Sequence, residues 1–318
     1  MRIIFLGSPA FAVPSLEALL GTEHEVVAVV TQPDRPSGRG HALTPPPVKE
    51  AALAHGLTVL QPEKVSSEES LEVLRPLAPD VLVVAAYGQI LRKALLDLPT
   101  RGSINVHASL LPRWRGASPI AASILAGDEK SGVTIMEVVR ALDAGAMISK
   151  YEEPILPHDT TGSLEERLSH AGANLLAETI TPWAERRLQP EAQDEALVTY
   201  APQLKREDAR LDWSLPAIEL WRRVRGYNPW PVAFTTIGGE DLRIFEAWPL
   251  DGDSGSAPGT VLGLEALPDE AETSEQGMVV QTGSGRLALL QIQKAGRRRT
   301  SGSEFFRGQQ KLAGTTLG

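Results

Sequence analysis

A chain of 318 residues with a formal charge of −9, no cysteine and 42% apolar residues has material for two domains and a sizeable core. The missing cysteine excludes disulfides, thiolate nucleophiles and cysteine-ligated zinc, and the acidic balance argues against a protein that coats nucleic acid non-specifically. No apolar run reaches membrane-spanning length, and the apolar stretch at 3–6 ends at Gly7 and Pro9, too short for a signal core, so a cytoplasmic location is expected.

In chain order, short β-branched runs at 3–6, 26–31, 58–60, 81–86, 103–106 and 133–139 read as strands. Helical stretches lie between and after them, at 14–20, 48–55, 68–77, 90–96 and 119–126. Continuous apolar strands separated by helices predict a parallel sheet covered on both faces, an α/β, Rossmann-like domain. A helical stretch at 163–188 closes it, so this domain is expected over 1–188. The segment 189–204, QPEAQDEALVTYAPQL, has no sustained period and reads as a linker. From 205 to 318 a helix at 221–225 precedes strand-like pieces at 233–237, 242–247, 260–264, 278–281 and 287–291. Gly and Pro turns separate them, which predicts a small OB-like β-barrel. Between Arg286 and Lys311 seven basic residues face Glu304 alone, a positive patch able to attract phosphate despite the acidic total.

The first strand runs into GSPAFAVPSLEALL, where only Gly7 matches a G-x-G-x-x-G dinucleotide loop, which argues against a nicotinamide enzyme. The loop at 31–49, TQPDRPSGRGHALTPPPVK, is long for a connection in such a fold. Its Arg35 and Arg39, framed by Gly and Pro, suit phosphate contact; a solvated surface loop is the plainer reading. VVAAYGQIL ends a buried strand at Tyr87-Gly88, where Gly88 lets a flat ligand approach backbone. In INVHASLLP, Asn105 and His107 are two apart on a strand and project from one face. An amide that donates hydrogen bonds then stands beside an imidazole that exchanges protons near neutral pH. Asp143, in the turn of VTIMEVVRALDAGAM, is either a turn-capping residue or an acid that orients His107. No His, Asp or Glu spacing points to a metal, and no G-x-S-x-G elbow points to a serine hydrolase.

NVHASLLPRWRGASPI together with LDAGAM resembles the folate-dependent formyltransferases. TQPDRPSGRG, VVAAYGQIL, GVTIMEV, YAPQLKREDARLDWS and NPWPVAF narrow the resemblance to the branch acting on methionyl-tRNA, and KAGRRRTSGSEFFRG extends it nearly to the end of the chain. The resemblance implies 10-formyltetrahydrofolate as formyl donor, no metal, and the α-amino group of initiator methionyl-tRNA as acceptor. It implies Asn105, His107 and Asp143 as the catalytic trio. It places Ser109, Leu110, Leu111 and Pro112 against the folate, with Tyr87, Gly88, Gln89, Ile90 and Leu91 as another wall. Arg35 and Arg39 in the acceptor-stem loop, and Arg297, Arg298, Arg299 and Lys311 in the barrel, are expected to meet tRNA backbone. A monomer is expected. The sequence departs from the family pattern at His41-Ala42, where two basic residues are frequent, at Ala146, where a second Asp is, and at Ala108, where Gly is. The alternatives are a related enzyme formylating a small amine such as an amino sugar nucleotide, a formyl-folate hydrolase, and a catalytically silent tRNA-binding protein. The triplet Arg113-Trp114-Arg115 either meets the 3′ end of tRNA or packs over the pocket.

Overall fold

The computed structural model describes residues 1–37, 42–273, 275–309 and 311–318. The chain forms two compact units: Met1–Pro119, Lys130–Pro154 and Glu165–Ala201 make the first, and Ile120–Glu129, Ile155–Leu164 and Pro202–Gly318 the second.

The first unit contains strands β1 (Arg2–Gly7), β2 (Glu25–Val30), β3 (Arg35–Ser37), β4 (Ala42–Thr44), β5 (Val59–Leu60) and β6 (Val81–Ala85). They are followed by β7 (Ser103–His107), β8 (Arg115–Gly116), β9 (Lys130–Glu137), β10 (Met147–Pro154) and β11 (Tyr200–Ala201). Seven of these form one sheet in the order β10-β9-β7-β6-β1-β2-β5. From β5 to β7 the pairing is parallel, as the apolar runs predict. β9 and β10 add in antiparallel fashion at the far edge. β10 has no counterpart in the strands read from sequence, because MISKYEEP is a partly exposed edge strand carrying charge rather than a buried apolar run.

Helices α1 (Val13–Leu20), α2 (Pro47–Ala54), α3 (Glu68–Leu74), α4 (Lys93–Leu96) and α5 (Pro119–Ala126) precede the long α6 (Thr161–Ala184). Strand register decides which side chains share a face. Ile4 lies opposite Leu82 and Leu6 opposite Val84, and Val84 in turn lies opposite Asn105. Leu71 and Leu74 of α3 and Leu95 of α4 pack on that face, in one core with Ile4, Leu6, Leu82 and Val84. Val106 points to the other face, where α6 approaches so closely that a Cβ on Gly172 would stand 2.9 Å from the Val106 side chain. The alternation therefore sends Asn105 and His107 to the face away from α6.

Glu165 of α6 has no ion pair or hydrogen bond among the described residues, and burial pushes its carboxyl above the usual range. The folded chain then binds more protons than the unfolded one between the ordinary carboxylate pKa, about 4.3, and the raised value, so stability falls as pH rises through that window. Glu165→Gln is expected to raise the thermal midpoint at pH 7 and to leave it unchanged near pH 4. Equal midpoints at both pH values would count against this reading of the helix.

The second unit carries α7 (Ala217–Gly226), strands β12 (Phe234–Ile237), β13 (Glu240–Leu250), β14 (Val261–Ala266), β15 (Gln276–Gln281), β16 (Arg286–Lys294) and β17 (Thr300–Ser301), and α8 (Gly302–Arg307). The strands pair antiparallel in the order β12-β13-β16-β15-β14, with β17 on β16. Register shifts within β13 and within β14 bend the sheet around one core. Leu220 and Val224 of α7 fill that core together with Ile244, Val261, Met278, Leu287 and Leu289.

Candidate active site

The order of the parallel strands reverses between β1 and β6, since β2 and β5 lie beyond one and β7 beyond the other. Ligands of open α/β sheets bind outside the carboxyl ends of strands at such a switch point. Gly7 ends β1 beside Ala85 at the end of β6, and the 86–91 segment leaves from there. Gly88 takes φ +85°, and apart from its chain neighbours the position of its absent Cβ has, among the described residues, only the Gln32 amide within 4 Å, at 3.7 Å. The backbone is thus open to a flat ligand, and Ile90 beside it is 84% exposed.

Tyr87 behaves differently from the rest of that wall. Its ring is 2% exposed and packs in the core with Leu71, Leu82 and Val84. Burial raises its hydroxyl pKa far above the ordinary value. What Tyr87 presents is its carbonyl, which accepts from Gln32 Nε2 at 3.0 Å. Gln89 is held by Val65 N, which donates to its Oε1 at 2.9 Å, and Leu91 packs partly against the same core. At this strand exit Tyr87 therefore presents backbone and not its ring, because the ring packs into the hydrophobic face of the sheet.

β7 ends at His107, which is 6% exposed. Its Nε2 lies 3.0 Å from the Trp114 carbonyl, and because a carbonyl only accepts, Nε2 carries a hydrogen. Nδ1 is the ring nitrogen left for proton exchange, and it faces Asp143 Oδ2 at 3.8 Å. Asp143 Oδ2 also accepts from Gly116 N at 2.8 Å. The Asn105 side chain is half-buried and has no hydrogen-bond partner among the described residues, an unusual state for an amide that is not fully in water. Strand β7 and the turn after β9 thus bring the three sequence candidates to one place.

Beyond His107 the chain is pinned to β9. Thr134 Oγ1 donates to the Ser109 carbonyl at 2.7 Å and accepts from Leu111 N at 3.2 Å. Ser109 Oγ donates to the Arg113 carbonyl at 2.7 Å, and Leu111 is buried with Met136 and Met147. Leu110 and Pro112 are the half-buried members of the segment. The shape of the 109–112 stretch is consequently set by its hydrogen bonds to Thr134 and to the Arg113 carbonyl.

The triplet resolves in part. Arg113 lies 4.2 Å over the Trp114 ring, and Trp114 adopts φ +65°. Arg115 is 3% exposed and paired in bidentate fashion with Glu195, at 2.8 and 3.4 Å, so it is closed to a phosphate. The segment read as a linker supplies that partner. Gln193 donates to the carbonyls of Asp143 and Gly145 at 2.7 and 2.8 Å, and Tyr200–Ala201 pairs with Arg115–Gly116 as strands β11 and β8. Sequence reading missed Gln193 and Glu195 because nothing in their spacing marks a partner about 80 positions away.

Among the basic candidates, Arg35 is exposed and meets Glu63 at 3.3 Å, while Arg39 lies outside the described residues. Arg297, Arg298 and Arg299 are exposed between β16 and β17, and Lys311 is exposed beyond α8; none of the four has an ion pair among the described residues. Arg299 lies 3.6 Å over the Phe245 ring, at the side of a cleft of about 180 Å³ that Trp221, Trp248 and Arg225 also line. No group of three His, Cys, Asp or Glu residues able to hold a metal occurs among the described residues, and none of the described helices is long and apolar enough to cross a membrane.

Residues 1–180 match the formyl transferase family and residues 203–310 the formyl transferase C-terminal domain. The chain is 50% identical to methionyl-tRNA formyltransferase of Bacillus subtilis (strain 168) over 318 residues, all of this chain and 98% of that protein. It is 47% identical to the protein of that name from Methylococcus capsulatus, over the whole of both. Among solved structures, an N-formyltransferase from Helicobacter canadensis in complex with folinic acid and dTDP-3-aminofucose superposes with TM-score 0.64 and 16% identity. That match covers 92% of this chain and 99% of the other. HypX from Aquifex aeolicus in complex with tetrahydrofolic acid gives TM-score 0.62 at 18% identity over 96% of this chain, which spans 46% of that protein. At such identities these two structures speak for the fold alone.

Proposed function

The chain belongs to the formyl transferase family, and from that membership we propose that it transfers a formyl group from 10-formyltetrahydrofolate to the α-amino group of initiator methionyl-tRNA, giving N-formylmethionyl-tRNA for translation initiation. The observation that carries the chemistry is the meeting, at one strand end, of an amide with no partner among the described residues, an imidazole Nδ1 and a carboxylate. The half-identity running through both units favours methionyl-tRNA over a small amine as acceptor.

An aminoacyl α-amine has a pKa of about 7.7–8.0 in model compounds, so a useful fraction is neutral near pH 7 and no strong base is required. Its nitrogen forms a bond to the formyl carbon while the carbonyl oxygen gains negative charge. Asn105 is the donor whose hydrogens have no partner among the described residues, and His107 adds a second donor from Nδ1 when both ring nitrogens are protonated. Asp143, with one oxygen held by Gly116, keeps the other available to take the proton that the attacking nitrogen sheds. The open backbone at 88–90 and the 109–112 wall fit a flat donor lying across the switch point. As the carbonyl re-forms, the bond from the formyl carbon to the folate nitrogen breaks and that nitrogen leaves with one proton, so the one shed by the amine is balanced.

The decisive assay mixes the protein with 10-formyltetrahydrofolate and either methionyl-tRNA or buffer, following folate release and N-formylmethionine. Formylmethionine formed in step with folate release is expected. Folate release without tRNA would instead mark a hydrolase.

On this reading the first unit does the chemistry and the second holds tRNA backbone, with Arg35 and Arg39 serving the acceptor stem and Lys311 joining the 297–299 run. Replacing Arg297, Arg298 and Arg299 by alanine is expected to flatten the log–log salt dependence of tRNA binding by about one unit for each phosphate that is no longer neutralised. An unchanged slope in a filter-binding titration would remove these residues from the interface.

A further inference from the structure

The geometry points to Gln193 as a positioning residue for the reaction, holding the Asp143 turn through its side-chain amide; the inference rests on the role proposed above for Asp143.

The turn needs such a hold. Asp143 adopts φ +46°, a left-handed conformation that a non-glycine residue keeps only when its surroundings impose it. Side-chain packing does little of this, since Arg140 and Ala141 are exposed and Leu142 is 63% exposed; the base of the turn is closed by Glu137 N, which donates to the Ala146 carbonyl at 2.9 Å. Its internal bond, Ala144 N to the Ala141 carbonyl, is long at 3.4 Å. Gly145 approaches β9 so closely that a Cβ would stand 1.7 Å from the Glu137 carbonyl.

Gln193 supplies the constraint from across the chain. Both hydrogens of its amide are used, one on the carbonyl of Asp143 and one on that of Gly145, at 2.7 and 2.8 Å. Its carbonyl oxygen accepts from Arg115 Nε at 2.9 Å, and Glu195 clamps the rest of that guanidinium. Gln193 is 9% exposed and Arg115 3%, so these bonds are screened little by water. The strap that carries Gln193 is itself anchored at both ends. Glu191 and Met147 exchange backbone bonds at 2.7 and 2.8 Å, and Ala201 accepts from Ala117 N at 2.9 Å. Gly116, beside that second anchor, donates to Asp143 Oδ2. The strap thus sets both the backbone and the carboxylate of Asp143.

Gln193→Met keeps the size of the side chain and removes both donors; Gln193→Glu also removes the donors and retains an acceptor for Arg115. Both are expected to lower kcat for methionyl-tRNA at least tenfold with KM for tRNA little changed, while the thermal midpoint falls in both because the carbonyls of Asp143 and Gly145 lose their donors. In an Asp143→Asn background, measured by single-turnover formylation at high enzyme, the same substitutions are expected to change the rate less than twofold, because the group they position is already gone. Equal losses in both backgrounds would overturn the inference and leave Gln193 as a fold brace. Normal turnover in Asp143→Asn alone would overturn the reading of Asp143 itself, a result separable from the first because it requires no change at Gln193.

Discussion

Asp143→Asn is expected to lower formylation turnover by about 10²–10⁴-fold, the range a positioned general acid or base contributes. The substitution is nearly isosteric, and its carbonyl oxygen can still accept from Gly116 N, where Oδ2 accepts at 2.8 Å. The backbone bonds from Gln193 do not involve the side chain at all. The turn should therefore survive, with circular dichroism and thermal midpoint close to the parent. What disappears is the second carboxylate oxygen, replaced by an amide nitrogen that cannot take a proton. Turnover within a few-fold of the parent would remove Asp143 from the chemistry and leave it as the turn cap that its position in LDAGAM also permits.

Asn105→Ala should lower kcat by about 10²–10³-fold, the cost of losing one donor aimed at developing negative charge. This site separates function from stability unusually well. Truncating a buried polar side chain ordinarily strands its partner and destabilises the fold. Asn105 has no partner among the described residues, so its removal strands nothing and the thermal midpoint should hold. The kcat should fall while the KM for methionyl-tRNA stays near its parent value, since the interaction strengthens only as charge develops on the oxygen. A rise in KM with kcat intact would mean that Asn105 merely binds the ground state.

The contrast between these residues and Gln193 shows how sequence and tertiary structure divide the problem. Strand alternation is a local property: two positions apart on a strand means one face, so Asn105 and His107 could be placed together before any packing was known. The parallel core was equally legible, because strands buried on both faces must be apolar along their whole length. β10 was not, since an edge strand tolerates the charges of MISKYEEP. The direction of the Tyr87 ring was not legible either, because a position at a strand exit says nothing of it, and the ring turned into the core with Leu82 and Val84.

Sequence alone determined the family chemistry, the strand that presents the amide and imidazole, and the basic run at Arg297–Arg299. Only the tertiary structure decided that His107 gives Nε2 to the Trp114 carbonyl and turns Nδ1 to Asp143, that Arg115 is sealed against Glu195, and that an aperiodic segment reaches back to bond the turn of Asp143. The reason is physical. Hydrophobic burial imposes a period that is written into neighbouring residues. A buried hydrogen bond asks only that a donor meet an acceptor, and chain folding supplies that meeting between positions 50 or more apart with no trace in the spacing of either.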